Sequence, residues 1–322
     1  MSRSHDLRRS NDIDPEARNR FLLLAGMAGV VVFALGLIAL GYYVDRVAPR
    51  GDTVFTVGDR KFSYAYLEDR VDAANAEGRF ITSDITFGIA QMVSDIQNEE
   101  LVRLIAAKDG VSITEEELEL GMRDDAGIPS DAARDVFATA LRNRLQLIGL
   151  SLERYEEYIE ADLLEQKLQD QIETSLPAEM EQVDLSVILV ETDAQGAIAK
   201  QRIADGEAFE DVAMEVSTHS SAAEGGVLGW TPRDLLVEDL AETAFAQEPG
   251  TISDVIEAED GFYIVKVDGK EVRELAETTR TRLARTLFSD RLEEASNQYE
   301  VQNLVTIEQA QRIASRLQSP GG

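Results

Sequence analysis

The sequence predicts an α+β protein with a single transmembrane helix, and three observations support this class. Residues 21–44 contain no charged side chain. Residues 84–175 carry apolar side chains at helical spacing. Residues 183–271 hold short apolar runs separated by helical segments, and the last two runs are joined by a short turn at 258–261, which favours antiparallel pairing. We therefore expect a mainly helical domain followed by a small domain with an antiparallel sheet and surrounding helices.

The uncharged segment is long enough to cross a bilayer. As a helix, its 24 residues would span about 36 Å, more than a hydrocarbon core of about 30 Å. A cleaved signal peptide would have a shorter apolar region followed by a small-x-small site, and residues 21–44 show neither feature. The sequence therefore predicts an uncleaved transmembrane helix at 21–44, preceded by a tail at 1–20.

Composition excludes several function classes. The chain has no cysteine, which excludes disulfides, thiolate metal sites and cysteine nucleophiles. It has two histidines, and its acidic residues lack the spacing of an EF-hand, so we expect no metal and no cofactor. The formal net charge of -30 argues against nucleic acid as a partner, because phosphate binding needs clustered Lys and Arg.

After the predicted membrane helix the pattern indicates a hairpin and then helices. Residues 54–64 alternate around a turn at Gly58, and Ser63 can cap the first helix. Thr114 and Glu117 have the spacing of a capping box, in which each residue satisfies a backbone donor of the other. Further helices are predicted at about 84–109, 131–148 and 152–175.

The remainder of the chain is predicted to alternate strands and helices. The order is a strand at 186–191, helices at 194–204 (capped by Asp193) and 207–216, a loop through Gly225 and Gly226, a short helix near 237–246, strands at 252–257 and 262–268, and final helices at 276–298 and 306–317.

Four segments carry a resemblance to the parvulin, or PpiC-like, prolyl isomerase domain. They read VDLSVILV (183–190), STHSSAAEGGVLGW (217–230), PGTISDVI (249–256) and DGFYIVKV (260–267). The preceding helical region is similar to the N-terminal segment of the SurA, PrsA and PpiD foldases, through VGDRKFSYAYL, AAKDGVSITEEEL and GLSLERYEEYIEADLLEQKL.

The resemblance implies a domain layout and a location. It predicts a chaperone-like helical domain at 51–180 and a parvulin-like domain at 183–271 with a four-stranded antiparallel sheet and surrounding helices. It also predicts C-terminal helices at 276–322 that pack on the N-terminal domain. Relatives with this layout are extracytoplasmic, and the arginine bias across residues 21–44 slightly favours an inside N-terminus. We therefore expect a cytoplasmic tail at 1–20 and a single-pass inner-membrane protein whose bulk is periplasmic.

The resemblance also identifies candidate site residues, most of which differ from the family pattern. A typical parvulin pocket has two histidines, a Cys or Asp, a Thr or Ser, and an apolar pair that contacts proline. The corresponding positions in this chain are Val187 and Tyr263 for the histidines, His219 for the Cys or Asp, Ala258 for the Thr, and Leu236 and Leu240 for the apolar pair. The site is thus degenerate at Val187 and Ala258, and both expected histidines are absent.

Gly225, Gly226, Gly229 and Trp230 follow the family's GGDLGW motif and are expected to be scaffold. The glycines suit a tight turn and the Trp suits packing. His219 next to Ser220 and Ser221 could also suggest a serine hydrolase, but no G-x-S-x-G elbow surrounds them.

Loss of the histidines does not by itself exclude catalysis. Rotation about a prolyl bond is slowed by amide conjugation, with a barrier of about 18–20 kcal/mol for peptide bonds, so a site that binds the twisted amide lowers it without covalent chemistry. His219 can donate a hydrogen bond to that amide, with Tyr263 as partner. The alternative is that His219 is a loop residue and Tyr263 a strand residue without a catalytic role.

The sequence thus predicts a membrane-anchored extracytoplasmic folding factor that binds unfolded or translocating polypeptides, with no small-molecule substrate. In one hypothesis it is a prolyl isomerase of modest activity. In the other it is a non-catalytic chaperone or scaffold, or a dedicated subunit of one membrane complex. The acidity is consistent with general solubility, with a salty habitat, or with a repulsive surface that keeps clients soluble.

Overall fold

The computed structural model describes residues 48–79 and 85–318. The chain divides into two compact units. The first comprises residues up to Val93, a short piece at 147–149 and the residues from Gln302 onward, and the second comprises Ser94–Gln146 and Leu150–Val301.

A three-stranded sheet lies in the first unit. Strands β1 (Thr53–Val57) and β2 (Arg60–Ser63) form the predicted hairpin, and β8 (Val301–Asn303) pairs with the other edge of β1. Phe55 and Phe62 stack with ring centroids 4.6 Å apart. The sequence did not predict β8, because a three-residue strand is too short to show periodicity.

Two helices lie wholly within this unit among the described residues. Helix α1 (Tyr64–Ala76) begins at Ser63, whose hydroxyl accepts a backbone N–H as predicted. Helix α10 (Ile307–Gln318) lies near α1, with Arg316 paired to Glu68 at 2.8 Å.

The helices that follow α1 are close to their predicted positions. They are α2 (Ile85–Asp109), α3 (Glu115–Asp125), α4 (Arg134–Ile148) and α5 (Leu152–Ser175), with α9 (Glu277–Gln298) later in the chain.

Local hydrogen bonds fix this helical region. The capping box at Thr114 and Glu117 is present, as predicted. The Tyr155 hydroxyl donates to Asp125 at 2.5 Å, and Arg144 donates to the same carboxylate at 2.9 and 3.2 Å. These bonds tie α3, α4 and α5 together, and burial followed by the hydrogen bond to Asp125 raises the pKa of Tyr155.

The second sheet is built on two long antiparallel strands, β3 (Glu179–Val190) and β7 (Gly261–Glu274). Its order is β4-β3-β7-β5, with β6 also paired to β7. The shorter strands are β4 (Val227–Pro232), β5 (Thr251–Ile252) and β6 (Ile256–Ala258).

Helices cover both faces of this sheet. Helix α8 (Glu238–Ala246) packs on one face through Leu240 and Ala244. Helices α6 (Asp193–Ala204) and α7 (Phe209–Val216) cover the other face. Because side chains alternate along a strand, successive residues of β3 contribute to different cores.

The cap of α6 differs from the prediction. Thr192, not Asp193, is the N-cap, and it forms a capping box with Gln195, whose N–H donates to the Thr192 hydroxyl at 3.3 Å. Asp193 is the first helical residue, where its charge suits the positive end of the helix dipole.

The prediction of a single four-stranded sheet is wrong, since the described residues form sheets of three and five strands. The strand predicted at 252–257 is split into β5 and β6. Between them the Ser253 hydroxyl accepts the N–H of Val265 at 2.9 Å, so a side chain takes a ladder position that a backbone carbonyl would otherwise occupy.

The transmembrane helix in the predicted fold class is a second correction. Within residues 48–79 and 85–318, no helix combines the length and the apolar character needed to cross a bilayer. The long helices α5 and α9 carry charged side chains along most of their length. Residues 1–20 and 21–44 lie outside the described residues. The absence of such a helix among the described residues also corrects the predicted localisation as a single-pass inner-membrane protein.

Candidate functional site

Five of the six candidate pocket positions meet in one apolar cluster on the α8 side of the sheet. Val187, Tyr263 and Leu240 are buried there, with 0%, 5% and 4% exposure. Leu236 and Ala258 pack against them and remain partly exposed. This cluster, called the pocket cluster below, is assembled from β3, β6, β7 and the start of α8.

The register of the central strands explains the assembly. Val187 pairs with Val265, Leu189 pairs with Tyr263, and Tyr263 also pairs with Ile256 across β6. Paired residues point to the same face of an antiparallel sheet, so Val187 and Tyr263 both face α8. Because Val187 is fully buried, it acts as a core residue of this face.

The Tyr263 hydroxyl is held by a residue that the sequence analysis missed. It donates to the Asp260 carboxylate at 2.6 Å. Burial, followed by this hydrogen bond, raises the pKa of the Tyr263 hydroxyl. The signal for Asp260 was an acidic residue three positions before Tyr263 in the β6–β7 turn.

His219 lies outside the pocket cluster, in a loop bound to β3. Thr218 N–H donates to the Leu189 carbonyl at 2.8 Å, and Leu189 N–H donates to the Ser217 hydroxyl at 3.1 Å. The His219 Nδ1 atom lies 2.8 Å from the Ser221 hydroxyl. His219 is therefore partnered by Ser221 and Tyr263 by Asp260, although both lie close in the fold to Leu189.

Gly226 joins the same loop to the centre of β3. Its carbonyl accepts the Val187 N–H at 2.8 Å, and its φ is +83°. A Cβ at this position would lie 2.3 Å from the Val187 carbonyl oxygen, so only glycine fits. Gly225 and Gly229 also have positive φ, at +72° and +70°.

Trp230 packs on the outer part of the sheet. Its indole lies over Gly269 of β7, where a Cβ would be 2.8 Å from the ring. The guanidinium carbon of Arg273 lies 4.4 Å from the indole centroid, which is a cation–π geometry. These contacts connect β4 to β7 across β3.

A groove of about 620 Å³ lies at the C-terminal end of α8 and shares Phe245 with the surround of the pocket cluster. Its apolar lining comes from Met180, Phe245 and Ala246. Charged side chains complete it: Glu181, Arg233, Asp234 and Glu242.

Residues 190–269 match the model of the Rotamase family, described as a PPIC-type PPIASE domain. Among curated proteins, the chain is 25% identical over 266 residues to the foldase protein PrsA of Oceanobacillus iheyensis, covering 78% of this chain and 86% of that protein. It is 25% identical over 239 residues to the chaperone SurA of Pseudoalteromonas translucida, covering 65% of this chain and 54% of that one.

Solved structures give a weaker likeness. The crystal structure of the peptidylprolyl isomerase PrsA from Bacillus anthracis aligns with a TM-score of 0.46 at 19% identity, covering 64% of this chain and 96% of the other. The matched family segment 190–269 contains five of the six candidate positions and excludes Val187.

Proposed function

Given a PPIC-type PPIase domain and homologues among the PrsA and SurA proteins, we propose that this chain is a parvulin-type protein-folding factor that binds proline-containing segments of unfolded polypeptides. The observation that carries the proposal is the pocket cluster, in which Leu236, Leu240, Ala258, Val187 and Tyr263 share one face of the sheet.

The client would contact the rim of the cluster. Val187 and Leu240 are buried, whereas six apolar side chains packed around the cluster remain partly exposed. A proline ring seated on this rim would bury apolar surface, at about 25 cal/mol per Å². The rim residues are Leu189, Leu228, Leu236, Phe245, Ile256 and Ala258.

The same seat would favour rotation of the prolyl bond to a modest extent. The planar, conjugated amide is more polar than the twisted one, so an apolar seat favours the twisted form. The two family histidines are replaced by Val187 and Tyr263, and the Tyr263 hydroxyl already donates to Asp260. His219 is then the remaining donor among the candidates.

A second candidate function is client binding without turnover. It is favoured by Val187, because an apolar side chain stands where the family has a histidine and is completely buried, out of reach of a client. The groove at the far end of α8 offers further contact area, with Phe245 and Met180 in its lining. This candidate keeps the affinity for unfolded chains and loses the acceleration.

A protease-coupled proline-peptide assay on the full chain separates the two candidates, run beside a client aggregation assay. The matched pair is Leu236→Asp, on the rim, and Val237→Asp, at its 50% exposed neighbour. We expect Leu236→Asp to abolish peptide binding and Val237→Asp to retain it. Acceleration that His219→Ala or Tyr263→Phe removes supports catalysis. Suppressed aggregation without acceleration supports the second candidate, and equal behaviour of the two Asp variants contradicts the proposed seat.

A further inference from the structure

The side chain of His219 is held from one side only. The Ser221 backbone N–H donates to Nδ1 at 3.1 Å, and the Ser221 hydroxyl lies 2.8 Å from the same atom. Ser221 is buried, with 9% exposure. Both contacts therefore come from one residue inside the loop.

These contacts decide which ring nitrogen carries the proton. A backbone N–H can only donate, so Nδ1 must present its lone pair to Ser221. In neutral imidazole one nitrogen is the donor and the other is the acceptor. The ring proton is thus on Nε2, and the Ser221 hydroxyl is oriented to donate as well.

The Nε2–H group is free to act on a ligand. Nε2 is on the opposite side of the ring from Nδ1, and within residues 48–79 and 85–318 it has no hydrogen-bond partner. The His219 side chain is partly exposed. The loop is bound to β3 at Leu189, and Leu189 is a rim residue of the pocket cluster.

We infer that Ser221 is a positioning residue that holds His219 as an Nε2–H donor for the client's backbone carbonyl beside the proline seat. The inference rests on the proposed function. A donor held in advance adds to the binding of the twisted amide without the ordering cost of a free side chain. The hydroxyl of Ser221 transfers no proton to the client and acts only through the imidazole.

Long-range ¹H–¹⁵N correlation spectra of the imidazole test the tautomer in the full chain. His219→Ala assigns the signals, because the only other histidine is His5. We expect the folded wild type to show an Nε2–H imidazole with a hydrogen-bonded Nδ1. Ser221→Ala removes the hydroxyl but keeps the backbone N–H donor, so it should retain the Nε2–H tautomer and shift the Nδ1 resonance only part of the way toward its position in urea. Ser221→Thr should restore it, and Ser220→Ala, at the exposed neighbour, should leave it unchanged.

Activity gives a second readout. Losing one neutral hydrogen bond corresponds to a factor of about five, so Ser221→Ala should weaken proline-peptide binding, or kcat/KM where turnover occurs, by about that factor. In a His219→Ala background the Ser221→Ala change should have no further effect. Circular dichroism confirms that each variant is folded.

The outcomes separate this inference from the proposed function. An Nδ1–H tautomer in the wild type, or equal spectra for Ser221→Ala and Ser220→Ala, overturns the role of Ser221 even when peptides bind. A wild type that binds no proline peptide overturns the proposed function, and with it the donor role, whatever the spectra show.

Discussion

Replacing Gly226 by Ala should strongly destabilise the five-stranded sheet and the helices packed on it. The residue has φ +83°, where an L side chain costs about 1–2 kcal/mol. The new Cβ would lie 2.3 Å from the Val187 carbonyl oxygen, so the backbone must move. That movement breaks the bond from Val187 N–H to the Gly226 carbonyl, and a buried unsatisfied donor costs about 1–3 kcal/mol. The expected loss is the sum, about 2–5 kcal/mol.

Gly229→Ala is the matched control. Its φ is +70°, but a Cβ there would have no heavy atom within 4 Å, so only the conformational cost of about 1–2 kcal/mol applies. Denaturant unfolding followed by Trp230 fluorescence measures both variants, since Trp230 is the only tryptophan in the chain. The same unfolding followed by circular dichroism does not depend on Trp230 and checks that neither variant alters the fluorescence signal itself. A Gly226→Ala loss no larger than that of Gly229→Ala would refute the role assigned to the Val187 contact.

Three further predictions concern the site and the helical region. Val187→His should lower the free energy of unfolding by about 2 kcal/mol or more and give no gain in prolyl isomerase activity, because a polar ring enters a fully buried position. Tyr263→Phe should reduce the loss of stability at high pH. Burial, and then the hydrogen bond to Asp260, raise the pKa of the Tyr263 hydroxyl in the folded state. The contribution of this hydroxyl to the free energy of unfolding is therefore present below about pH 10 and is lost as the pH rises through the folded-state pKa. Glu117→Gln should reduce the loss of stability in acid, measured by unfolding midpoints. Hydrogen bonds, first from Lys167, hold the pKa of Glu117 at about 2. The contribution of this carboxylate to the free energy of unfolding is therefore present above its ordinary pKa of 4.5 and is lost as the pH falls toward 2.

Each of these has a clear contrary result. If Val187→His is as stable as the wild type, the pocket cluster can accommodate a polar ring at position 187. An unchanged alkaline profile in Tyr263→Phe would mean that the hydroxyl is not held by Asp260 in solution. If the loss of stability in acid is the same in Glu117→Gln as in the wild type, the Glu117 carboxylate does not contribute to the pH dependence of stability.

Local signals in the sequence were sufficient for most of the helices. Ser63 and the pair Thr114 and Glu117 cap their helices through hydrogen bonds within three residues, so the information is contained in a short window. The strand predicted at 186–191 coincides with the C-terminal half of β3, which begins earlier, at Glu179. These are short-range effects, which is why the helix bounds were off by only a few residues.

Tertiary hydrogen bonds explain what the sequence could not show. Ser253 interrupts a strand through a bond to Val265, twelve residues later, and β8 pairs with a hairpin at the other end of the described chain. The partners of His219 and Tyr263 depend on loop conformations rather than on periodicity. The pairing of His219 with Tyr263 and the division into five segments remain predictions.

Binding of a client and rotation of its prolyl bond should depend on different residues, binding on the buried cluster around Val187 and rotation on His219. The buried side chains of Val187 and Leu240 need no polar partner, and the Tyr263 hydroxyl already has one in Asp260, so the proposed seat should keep its shape whether or not a client is present. Rotation of the prolyl bond, in contrast, needs at least one group that is bound more tightly by the twisted amide than by the planar one. The only candidate donor left free for this is Nε2–H of His219, and it sits on a loop whose geometry depends on Gly226 and Ser221. Changes in that loop should therefore reduce turnover before they reduce binding, whereas changes at the Leu236 rim should reduce both together.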